Sequence, residues 1–510
     1  MTWKENMIKN NKVWILIISL LAIALFFFLR LSKLNNIPVF VDEAIYVRWS
    51  QVMKTESSLR FIPQTDGKQP LFMWTTIPFF KLSSDPLIAG RLVSVATGFG
   101  TLLGIAYLAA MLFGDPLVTS LSILVYAILP FSVFFDRMAL VDSMLAMFGV
   151  WSLALSIKFV KTKKLEHAMF LGFAIGGGLL TKSPAVFFYS WLAVAILFFF
   201  RPKIDKLKPI SQLFTGIIAV VVISQIMYSI LRLGPAFNMI GARNQDYLFT
   251  WKEVLSHPLN PLIGNLKSTI NWLWLLFSPT FLLCLIFGLF PAKTRKLSIF
   301  LIIISLIPLI GQAFIAKVYT SRYILFAVMP LIPVIGFGLN WVVTRKGLLI
   351  ILSSIFLIAV PLIISNLYVF NPEKAPLSFD MRNGYLEEWT AGWGNRQIAD
   401  YLIGLESKGD KVVVFTEGFF GTMPDGIQIY TEGHKNIIIV GSNPDVRVIP
   451  DGLIKTSPDD QRFLVVNKSR NHLPASALKD LQLVMEFPKS PRLDGSQEVL
   501  EFYHYQPNSL

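Results

Sequence analysis

Long apolar runs alternate with short polar segments through most of the chain. About eleven runs have the length or apolarity of membrane helices, and they lie near residues 13–31, 86–113, 115–132, 139–159, 166–181, 183–200, 209–231, 267–290, 297–316, 322–343 and 347–367. A helix needs roughly 20 mostly apolar residues to cross a bilayer. The pattern therefore predicts a polytopic α-helical membrane domain of about eleven transmembrane helices over residues 1–369.

The pattern changes after residue 370. The stretch "NRQIADYLIGLESKG" has the apolar spacing of an amphipathic helix, and "KVVVFTE", "NIIIVG" and "RFLVVN" have the character of short buried strands. This alternation predicts a small α/β domain over residues 370–510. No glycine-rich phosphate loop follows any of these strands, so nucleotide binding is not expected there.

Composition and charge agree with a membrane protein. Of the 510 residues 54% are hydrophobic and 15% are charged, and the mean hydropathy is +0.58. A net charge of +14 can indicate a nucleic-acid partner, but here most of the basic excess lies in short loops between apolar runs. We therefore expect no nucleic-acid partner. The single cysteine, Cys284, excludes a disulfide framework within the chain.

The basic residues predict the orientation of the helices. They concentrate in alternate loops, at Lys4, Lys9 and Lys12, at Lys158, Lys161, Lys163 and Lys164, at Arg201, Lys203, Lys206 and Lys208, at Lys293, Arg295 and Lys296, and at Arg345 and Lys346. By the positive-inside rule these loops are cytoplasmic. We expect a multi-pass protein of the plasma (inner) membrane, with a cytoplasmic N-terminus, outer loops near 32–85 and 232–266, and an extracytoplasmic C-terminal domain.

Ionisable residues beside the apolar helices gather on the predicted outer face. They are Asp42, Glu43, Arg48, Lys68, Arg91, Asp136, Arg137, Asp142, Lys182, Arg243, Lys317 and Arg322. A charge held near hydrocarbon is costly and is by default a candidate for function. Acids and several bases at one membrane face indicate a site that handles an anion and also needs a carboxylate, and a lipid phosphate fits that description.

Four of these residues, Asp42, Lys68, Lys182 and Arg137, also have a structural interpretation. Asp42 and Glu43 are neighbours, so on a helix they point about 100° apart and only one of them would do the chemistry. Asp42 alone could instead cap the helix that begins at "EAIYVRW". Lys68 and Lys182 could reach out to lipid headgroups, and Arg137 could pair with Asp136 or Asp142.

Six segments in order carry a resemblance to a known family. They are "VDEAIYVRWS", "GKQPLFMWTTIPFFKL", "AGRLVSVATGFGTLLGIAYLAAMLFG", "FFDRMALVDSMLAMF", "GLLTKSPA" and "SRYILFAVMPLIPVIGFG". Together they resemble the membrane-embedded glycosyltransferases of the C superfamily (GT-C), in particular the dolichyl-phosphate-mannose protein mannosyltransferases and the bacterial aminoarabinose lipid A transferases. "EEWTAGWGNRQIADYL" resembles the start of the outer domain of many bacterial members.

The resemblance implies an enzyme that uses a polyprenyl-phosphate sugar as donor and an extracytoplasmic acceptor. It implies that Asp42 is the catalytic carboxylate with Glu43 beside it, and that Lys68, Arg137, Lys182 and Arg322 hold the lipid phosphate. Arg243, Asp142 and Trp393 are candidate contacts to the sugar or the acceptor. The transferred group would be a hexose, with mannose as one candidate, and the acceptor a protein Ser/Thr, a lipid or a polysaccharide.

One departure concerns metal binding. The aminoarabinose transferases carry an acid before the lysine of a "KP" motif, whereas Gly67 precedes Lys68 here and Gln69 separates that lysine from Pro70. We therefore assign no metal ligands and no cofactor, and the need for a divalent metal stays open. His257 lies in an outer loop without an evident partner ligand.

Mechanism and alternatives follow from the same residues. Direct displacement at the anomeric carbon, with Asp42 as general base, predicts inversion. A transporter or flippase of lipid-linked sugars would also need cations for the phosphate, although a transporter should place ionisable groups nearer mid-membrane. An envelope scaffold would not need the acid pair.

Three aromatic residues of the outer domain have two interpretations. Tyr385, Trp389 and Trp393 could stack on sugars or anchor the outer domain at the headgroups.

Overall fold

The computed structural model describes residues 3–201, 207–345 and 347–507, with side chains from residue 12 onward and, after the first gap, from residue 208. The basic residues Lys203, Lys206 and Lys346, used above to orient the helices, lie outside the described residues, as do the side chains of Lys4 and Lys9. The predicted orientation across the membrane stays a prediction.

Within the residues that the structure describes, eighteen α-helices account for most of the chain up to residue 370. They are α1 Trp3–Leu31, α2 Val41–Thr55, α3 Leu71–Phe79, α4 Pro86–Phe113, α5 Pro116–Ile128, α6 Pro130–Phe135, α7 Val141–Thr162, α8 Leu165–Thr181, α9 Phe187–Phe199, α10 Leu207–Ser229, α11 Phe237–Tyr247, α12 Trp251–Ser256, α13 Leu262–Leu276, α14 Pro279–Phe287, α15 Arg295–Ile315, α16 Leu325–Val328, α17 Ile332–Val343 and α18 Leu348–Phe370. Local signals explain the start of α5: Pro116 occupies its first turn, and the Asp115 carboxylate accepts the Leu117 N–H at 2.8 Å.

Seven helical segments in the described part of the chain are long and apolar enough to cross a membrane, so the protein is a multi-pass membrane protein. An eighth span is possible if α13 and α14, bent by 98° at their junction, count as one. Each of the eleven predicted runs contains helix, but α5, α8 and the Ser183–Phe199 segment have fewer than 18 residues. The predicted count of about eleven spans is therefore not confirmed.

Small residues let the membrane helices approach closely. A Cβ at Gly176 of α8 would lie 2.5 Å from the Met227 sulfur of α10, and one at Gly177 would lie 2.4 Å from the Phe148 ring of α7. Close contact of this kind supplies the van der Waals packing that holds helices together where lipid removes the hydrophobic driving force. The "GGG" of α8 therefore lets α7 and α10 pack closely on the helix end that precedes Lys182.

The chain divides into two compact units. The first consists of Met1–Leu34, Arg60–Phe72 and Arg91–Ser378, and the second of Asn35–Leu59, Met73–Gly90 and Phe379–Leu510. The second unit thus contains α2, with Asp42 and Glu43, as well as the C-terminal residues. The predicted functional boundary between residues 369 and 370 stays a prediction.

The second unit contains a mixed five-stranded sheet. After two strands of two residues, β1 Val39–Phe40 and β2 Ala391–Gly392, come β3 Val412–Thr416, β4 Ile437–Gly441, β5 Gln461–Asn467, β6 Leu481–Pro488 and β7 Val499–Tyr505. Their order is β4-β3-β5-β7-β6, with β3 parallel to β4 and β5 and with β7 antiparallel to β5 and β6. The helices of this part are α19 Phe379–Arg382, α20 Asn395–Glu406, α21 Asp425–Thr431, α22 Asp451–Lys455 and α23 Ala475–Leu478.

Both faces of this sheet are covered. Val412 and Val414 pack with Ile398 of α20 on one face, while Leu464 packs with Leu453 of α22 on the other. The predicted fold class, a polytopic helical membrane protein with a small C-terminal α/β domain, is confirmed. One detail is wrong: β4 is an edge strand, and its Ile438 and Val440 are exposed rather than buried.

Candidate functional site

A two-residue strand pair fixes the start of the helix that carries the acid pair. Val39 pairs with Gly392 and Phe40 with Ala391, in antiparallel register. The Val41 N–H then donates to the Thr390 carbonyl at 3.1 Å. The motif "VDEAIYV" is therefore held in the second unit by the motif "WTAGW", which lies about 350 residues later in the chain.

The two acids have different environments. Glu43 is fully buried, and its carboxylate accepts the Phe40 N–H at 3.0 Å, which satisfies a donor at the N-terminus of α2. Asp42 lies in the first helical turn and is half-buried. The alternative in which Asp42 is the N-cap is wrong, because the N-cap residue is Phe40. Of the pair, Asp42 is the more exposed.

The segment that pairs with β1 is itself tied to the C-terminal strands. The Lys489 ammonium donates to the Glu388 carbonyl at 3.0 Å, and the Arg492 guanidinium donates to the Glu388 carboxylate at 2.8 Å. The Arg470 guanidinium lies 3.7 Å from the centroid of the Trp389 ring. These contacts hold residues 388–392, and through the strand pair they position the first turn of α2.

Buried titratable groups adjoin this segment. Burial raises the pKa of the Glu417 carboxyl to about 6, although that carboxyl accepts two hydrogen bonds from Asn467, at 2.6 and 2.8 Å. Burial likewise lowers the pKa of the Lys489 ammonium to about 8. Both groups therefore titrate closer to neutral pH than the same side chains do in water.

The predicted aromatic residues are packed within the second unit. The Tyr385 ring lies 4.3 Å from that of Phe40, centroid to centroid. The Trp393 indole N–H donates to the Leu386 carbonyl at 2.9 Å, and its side chain is half-buried. A sugar contact by Trp393 stays a prediction, and it would use the exposed part of the ring.

In the first unit, Lys182 and Asp142 form a close ion pair. Lys182 directly follows α8 as its C-cap residue, and Asp142 lies in the first turn of α7. The Lys182 Nζ is 2.6 Å from the Asp142 Oδ1. Asp142 is 2% exposed, and no hydrogen-bond partner for its Oδ2 occurs within the described residues. The pair thus presents one ammonium and one carboxylate oxygen with remaining capacity to accept a hydrogen bond.

An aromatic ring joins this pair to a second cation. The Tyr323 ring centroid lies 4.1 Å from the Lys182 nitrogen and 5.4 Å from the Arg322 guanidinium. Arg322 and Tyr323 belong to the short 3₁₀ helix Ser321–Ile324. The structure therefore brings together three of the predicted site residues, Asp142, Lys182 and Arg322, around a tyrosine that the sequence analysis did not single out.

Lys68 and Arg243 are brought together by one acid. Asp66 lies 2.7 Å from Arg243 and 3.9 Å from the Lys68 nitrogen, which is also 3.5 Å from the Tyr247 hydroxyl. Gln69 donates to the Ser183 hydroxyl at 2.8 Å, and Ser183 follows Lys182 directly. This contact links the "GKQP" segment to the turn that holds the ammonium of Lys182.

Gly67 stands where the aminoarabinose transferases carry an acid, and the local structure leaves no room for a larger side chain there. Gly67 has a left-handed backbone (φ 67°), and a Cβ there would lie 2.6 Å from the Arg243 Cβ and 2.9 Å from the Met239 carbonyl. An acid at this position would be strained and would displace α11. Among the described residues no group of three or more His, Cys, Asp or Glu side chains could hold a metal ion. The question of a divalent metal stays open.

Arg137 lies apart from these cations. It is 2% exposed, and its guanidinium donates to the carbonyls of Leu29, Arg30, Ser32 and Lys33 at 2.7–3.1 Å. It pairs with neither of the predicted acids, since Asp136 bonds to Arg30 at 2.9 Å and Asp142 to Lys182. These contacts favour a structural role for Arg137, as the cap of the C-terminus of α1.

Arg137→Lys is expected to lower the thermal stability of the protein while leaving the KM for a lipid-phosphate donor unchanged. An ammonium cannot span four carbonyls, and each buried carbonyl that loses its donor costs about 1–3 kcal/mol. Thermal unfolding in detergent measures the first effect and donor kinetics the second. Arg201→Lys, at an exposed arginine near the end of α9, is the control. A raised donor KM with unchanged stability would instead support the predicted phosphate contact.

Sequence reasoning missed several residues at these sites. Tyr323, Tyr247 and Asp66 give no signal of their own, although Tyr323 adjoins the predicted Arg322 in "SRY". Arg30 interrupts an apolar run, is fully buried, and pairs with Asp136. An arginine inside such a run was a usable signal, because buried charges require partners.

Comparisons with known proteins agree with this architecture. Residues 67–228 match the model of the family described as dolichyl-phosphate-mannose-protein mannosyltransferase. Among solved structures, the chain is similar to ArnT from Cupriavidus metallidurans in the apo state, with 14% identity, a TM-score of 0.54, and 97% of this chain and 98% of that chain covered.

The same ArnT bound to undecaprenyl phosphate gives 14% identity and a TM-score of 0.55, with 96% of this chain and 98% of that chain covered. A search among curated proteins found no match. The family match and the shared fold confirm the predicted resemblance to the GT-C superfamily.

Proposed function

We propose that this membrane protein of GT-C fold is a glycosyltransferase that moves a sugar from a polyprenyl-phosphate donor to an extracytoplasmic acceptor hydroxyl. The observation that carries the proposal is the arrangement around Lys182, in which Asp142, Tyr323 and Arg322 surround one ammonium. The family match at residues 67–228, which includes Lys68, Arg137, Asp142 and Lys182, supports it, as does the structure of ArnT with undecaprenyl phosphate.

The acceptor hydroxyl needs a base. Its oxygen attacks the anomeric carbon of the donor sugar, and Asp42 accepts the hydroxyl proton as that bond forms. The half-burial of Asp42 supports this role, because a carboxylate that is partly accessible can reach a substrate. Glu43 contributes by holding the helix start in place, since its carboxylate is used by the Phe40 N–H.

The leaving group needs positive charge. As the bond between the anomeric carbon and the phosphate oxygen breaks, its electron pair stays on the lipid phosphate, which departs as an anion without taking a proton. Lys182, Arg322 and Lys68 would stabilise that anion. Asp142 would orient the Lys182 ammonium, which donates a hydrogen bond to its Oδ1. Its Oδ2 would accept a hydrogen bond from a sugar hydroxyl.

The finer parts of the proposal concern the substrates and the side of the membrane. We propose transfer of a hexose, with mannose as a candidate, and an acceptor on the outer side of the plasma membrane. Residues 1–369 would form the transmembrane catalytic part and residues 370–510 an extracytoplasmic domain. Arg243 and Trp393 are proposed contacts to the sugar or the acceptor.

The test is transfer of labelled sugar from a panel of polyprenyl-phosphate sugars by membranes containing the wild-type protein, with and without a chelator. We expect label to leave one donor, and NMR of the product to show inverted anomeric configuration, because a single displacement inverts the carbon. Retained configuration would overturn direct displacement. Intact lipid-phosphate binding with no donor consumed would overturn the transferase and favour transport.

A further inference from the structure

The first unit contains a groove between three of its apolar helices, α14, α17 and α18. It has a volume of about 550 Å³, and its lining includes Leu283, Phe287, Trp341, Arg345, Leu349 and Phe356. Arg345 lies in the turn between α17 and α18. None of these residues has a part in the proposed base or phosphate chemistry.

The turn that carries Arg345 lies at a membrane surface. The segments Ser321–Val343 and Leu348–Phe370 are both long and apolar enough to cross a membrane, and only residues 344–347 separate them. Two spans joined by so short a turn reverse direction at the surface that the first has reached. Phe356 follows Leu348 by eight residues, which corresponds to ~12 Å along the helix axis. The groove therefore extends from headgroup level, at Arg345, to the depth of the acyl chains.

The charges near this turn have one sign. No aspartate or glutamate occurs between Glu253 and Glu373 in the sequence. The turn itself supplies Arg345 and Lys346, and residues 291–296, which follow α14, supply three more basic residues. Basic residues beside a crevice between membrane helices are typical of sites for anionic lipid headgroups. The charge pattern therefore favours an anionic occupant.

The guanidinium of Arg345 is positioned by aromatic rings. It lies 3.5 Å from the centroid of the Trp341 ring, and the Phe287 and Phe290 rings lie 5.6 and 5.3 Å from that same ring, centroid to centroid. Within the described residues this guanidinium forms no hydrogen bond or ion pair. Stacking uses the face of a guanidinium, so its in-plane N–H donors remain available to a phosphate.

The walls of the groove are apolar and open. Leu349, Leu352 and Phe356 are each more than half exposed, whereas Leu357, one residue further along α18, is 3% exposed. Beyond it, Ser365 donates to the Ile128 carbonyl at 2.8 Å. The first half of α18 therefore borders an open crevice, while the second half packs against other helices. An acyl chain in this crevice would supply the van der Waals contacts that an empty space lacks.

We propose that this groove binds an anionic phospholipid, with the lipid phosphate on Arg345 and an acyl chain along Trp341 and Phe356. A phosphodiester carries one negative charge, which one guanidinium balances, whereas a phosphate monoester such as polyprenyl phosphate carries about −1.5 to −2 at pH 7. The groove shares no residue with the cations proposed to hold the donor phosphate. The bound lipid would brace the first half of α18 against α14 and α17.

The test measures lipid binding to the full-length protein in detergent by native mass spectrometry. The probes are phosphatidylglycerol and phosphatidylcholine with identical acyl chains, undecaprenyl phosphate, and glycerol 3-phosphate as the headgroup without chains. We expect the wild type to bind phosphatidylglycerol about fivefold more tightly than phosphatidylcholine and not to retain glycerol 3-phosphate. Arg345→Gln should remove the preference between the two phospholipids. Ser353→Trp, which fills the groove, should weaken the binding of both.

Two matched controls lie outside the groove. Arg201→Gln, at an exposed arginine, and Ser211→Trp, at an exposed serine of α10, should keep the wild-type affinities. Thermal unfolding gives a second measurement, because a ligand that binds only the folded state raises Tm. Phosphatidylglycerol should raise the Tm of the wild type and of both controls more than that of Arg345→Gln.

Four outcomes would overturn the inference. They are equal binding of the two phospholipids by the wild type, an unchanged preference in Arg345→Gln, and undecaprenyl phosphate binding that exceeds phosphatidylglycerol binding and is lost in both groove variants. The fourth is a wild-type dimer that Ser353→Trp converts to a monomer, which would assign the groove to a second copy of the chain.

Discussion

Asp42→Asn is expected to lower kcat by about 10²- to 10⁴-fold, the range typical of a lost general base. The substitution keeps the shape of the side chain but removes its ability to take the acceptor proton. Sugar transfer at saturating donor and acceptor measures kcat, and binding of polyprenyl phosphate should stay within twofold of the wild type. Near-normal turnover would show that Asp42 is not the base.

Variants of two other acids near Asp42 distinguish a catalytic role from a structural one. Glu56→Gln, at an exposed acid just beyond the end of α2, is the matched control and should leave kcat unchanged. Glu43→Gln removes a negative charge from the N-terminus of α2 and should cost about 0.3–1 kcal/mol of stability. If Glu43→Gln instead abolished turnover while Asp42→Asn did not, the roles of the two acids would have to be exchanged.

Lys182→Met is expected to lower kcat/KM for the lipid-phosphate donor by about 10²- to 10³-fold, because one preorganised charge on the leaving phosphate is lost. It should also destabilise the protein by about 3–5 kcal/mol, since Asp142 would remain buried without its partner. Donor kinetics and thermal unfolding in detergent measure the two effects separately.

The double variant Lys182→Met/Asp142→Asn separates the two roles of Lys182. Removing the orphaned carboxylate should restore most of the stability, whereas donor use should stay impaired because no cation has been returned. Recovery of both properties in the double variant would mean that Lys182 serves only to neutralise Asp142. In that case a structural role for this lysine, as the ion-pair partner of Asp142, would replace the phosphate contact.

The parts of the fold that the sequence predicted depend on local patterns. The apolar runs predicted the membrane helices, and "KVVVFTE", "NIIIVG" and "RFLVVN" predicted β3, β4 and β5. The alternation of "LQLVMEFP" is a local signal for β6 that was available and was missed. The exposure of β4 could not be read locally, because it depends on which strand ends at the sheet edge.

The contacts within the candidate site were harder to predict from local sequence patterns than the helices and strands. The acid pair and the cations could be identified because charges next to apolar helices are rare. The backbone groups that hold these residues in place could not be identified in the same way. The strand β1 pairs with residues about 350 positions later, and Arg137 bonds to carbonyls more than 100 positions earlier. Backbone carbonyls and two-residue strands leave no mark in a sequence, so the contacts of Arg137 could only be seen in three dimensions.

The pairing of β1 with β2 has a consequence for biosynthesis. Residues 39–40 leave the ribosome early, whereas their partners at 391–392 follow only after the last apolar helix, α18. Until then the helix start that carries Asp42 lacks the strand that orders it. A chain interrupted before residue 392 would therefore insert its helices without an ordered acid pair, and under the proposed function such nascent and truncated molecules would not transfer sugar.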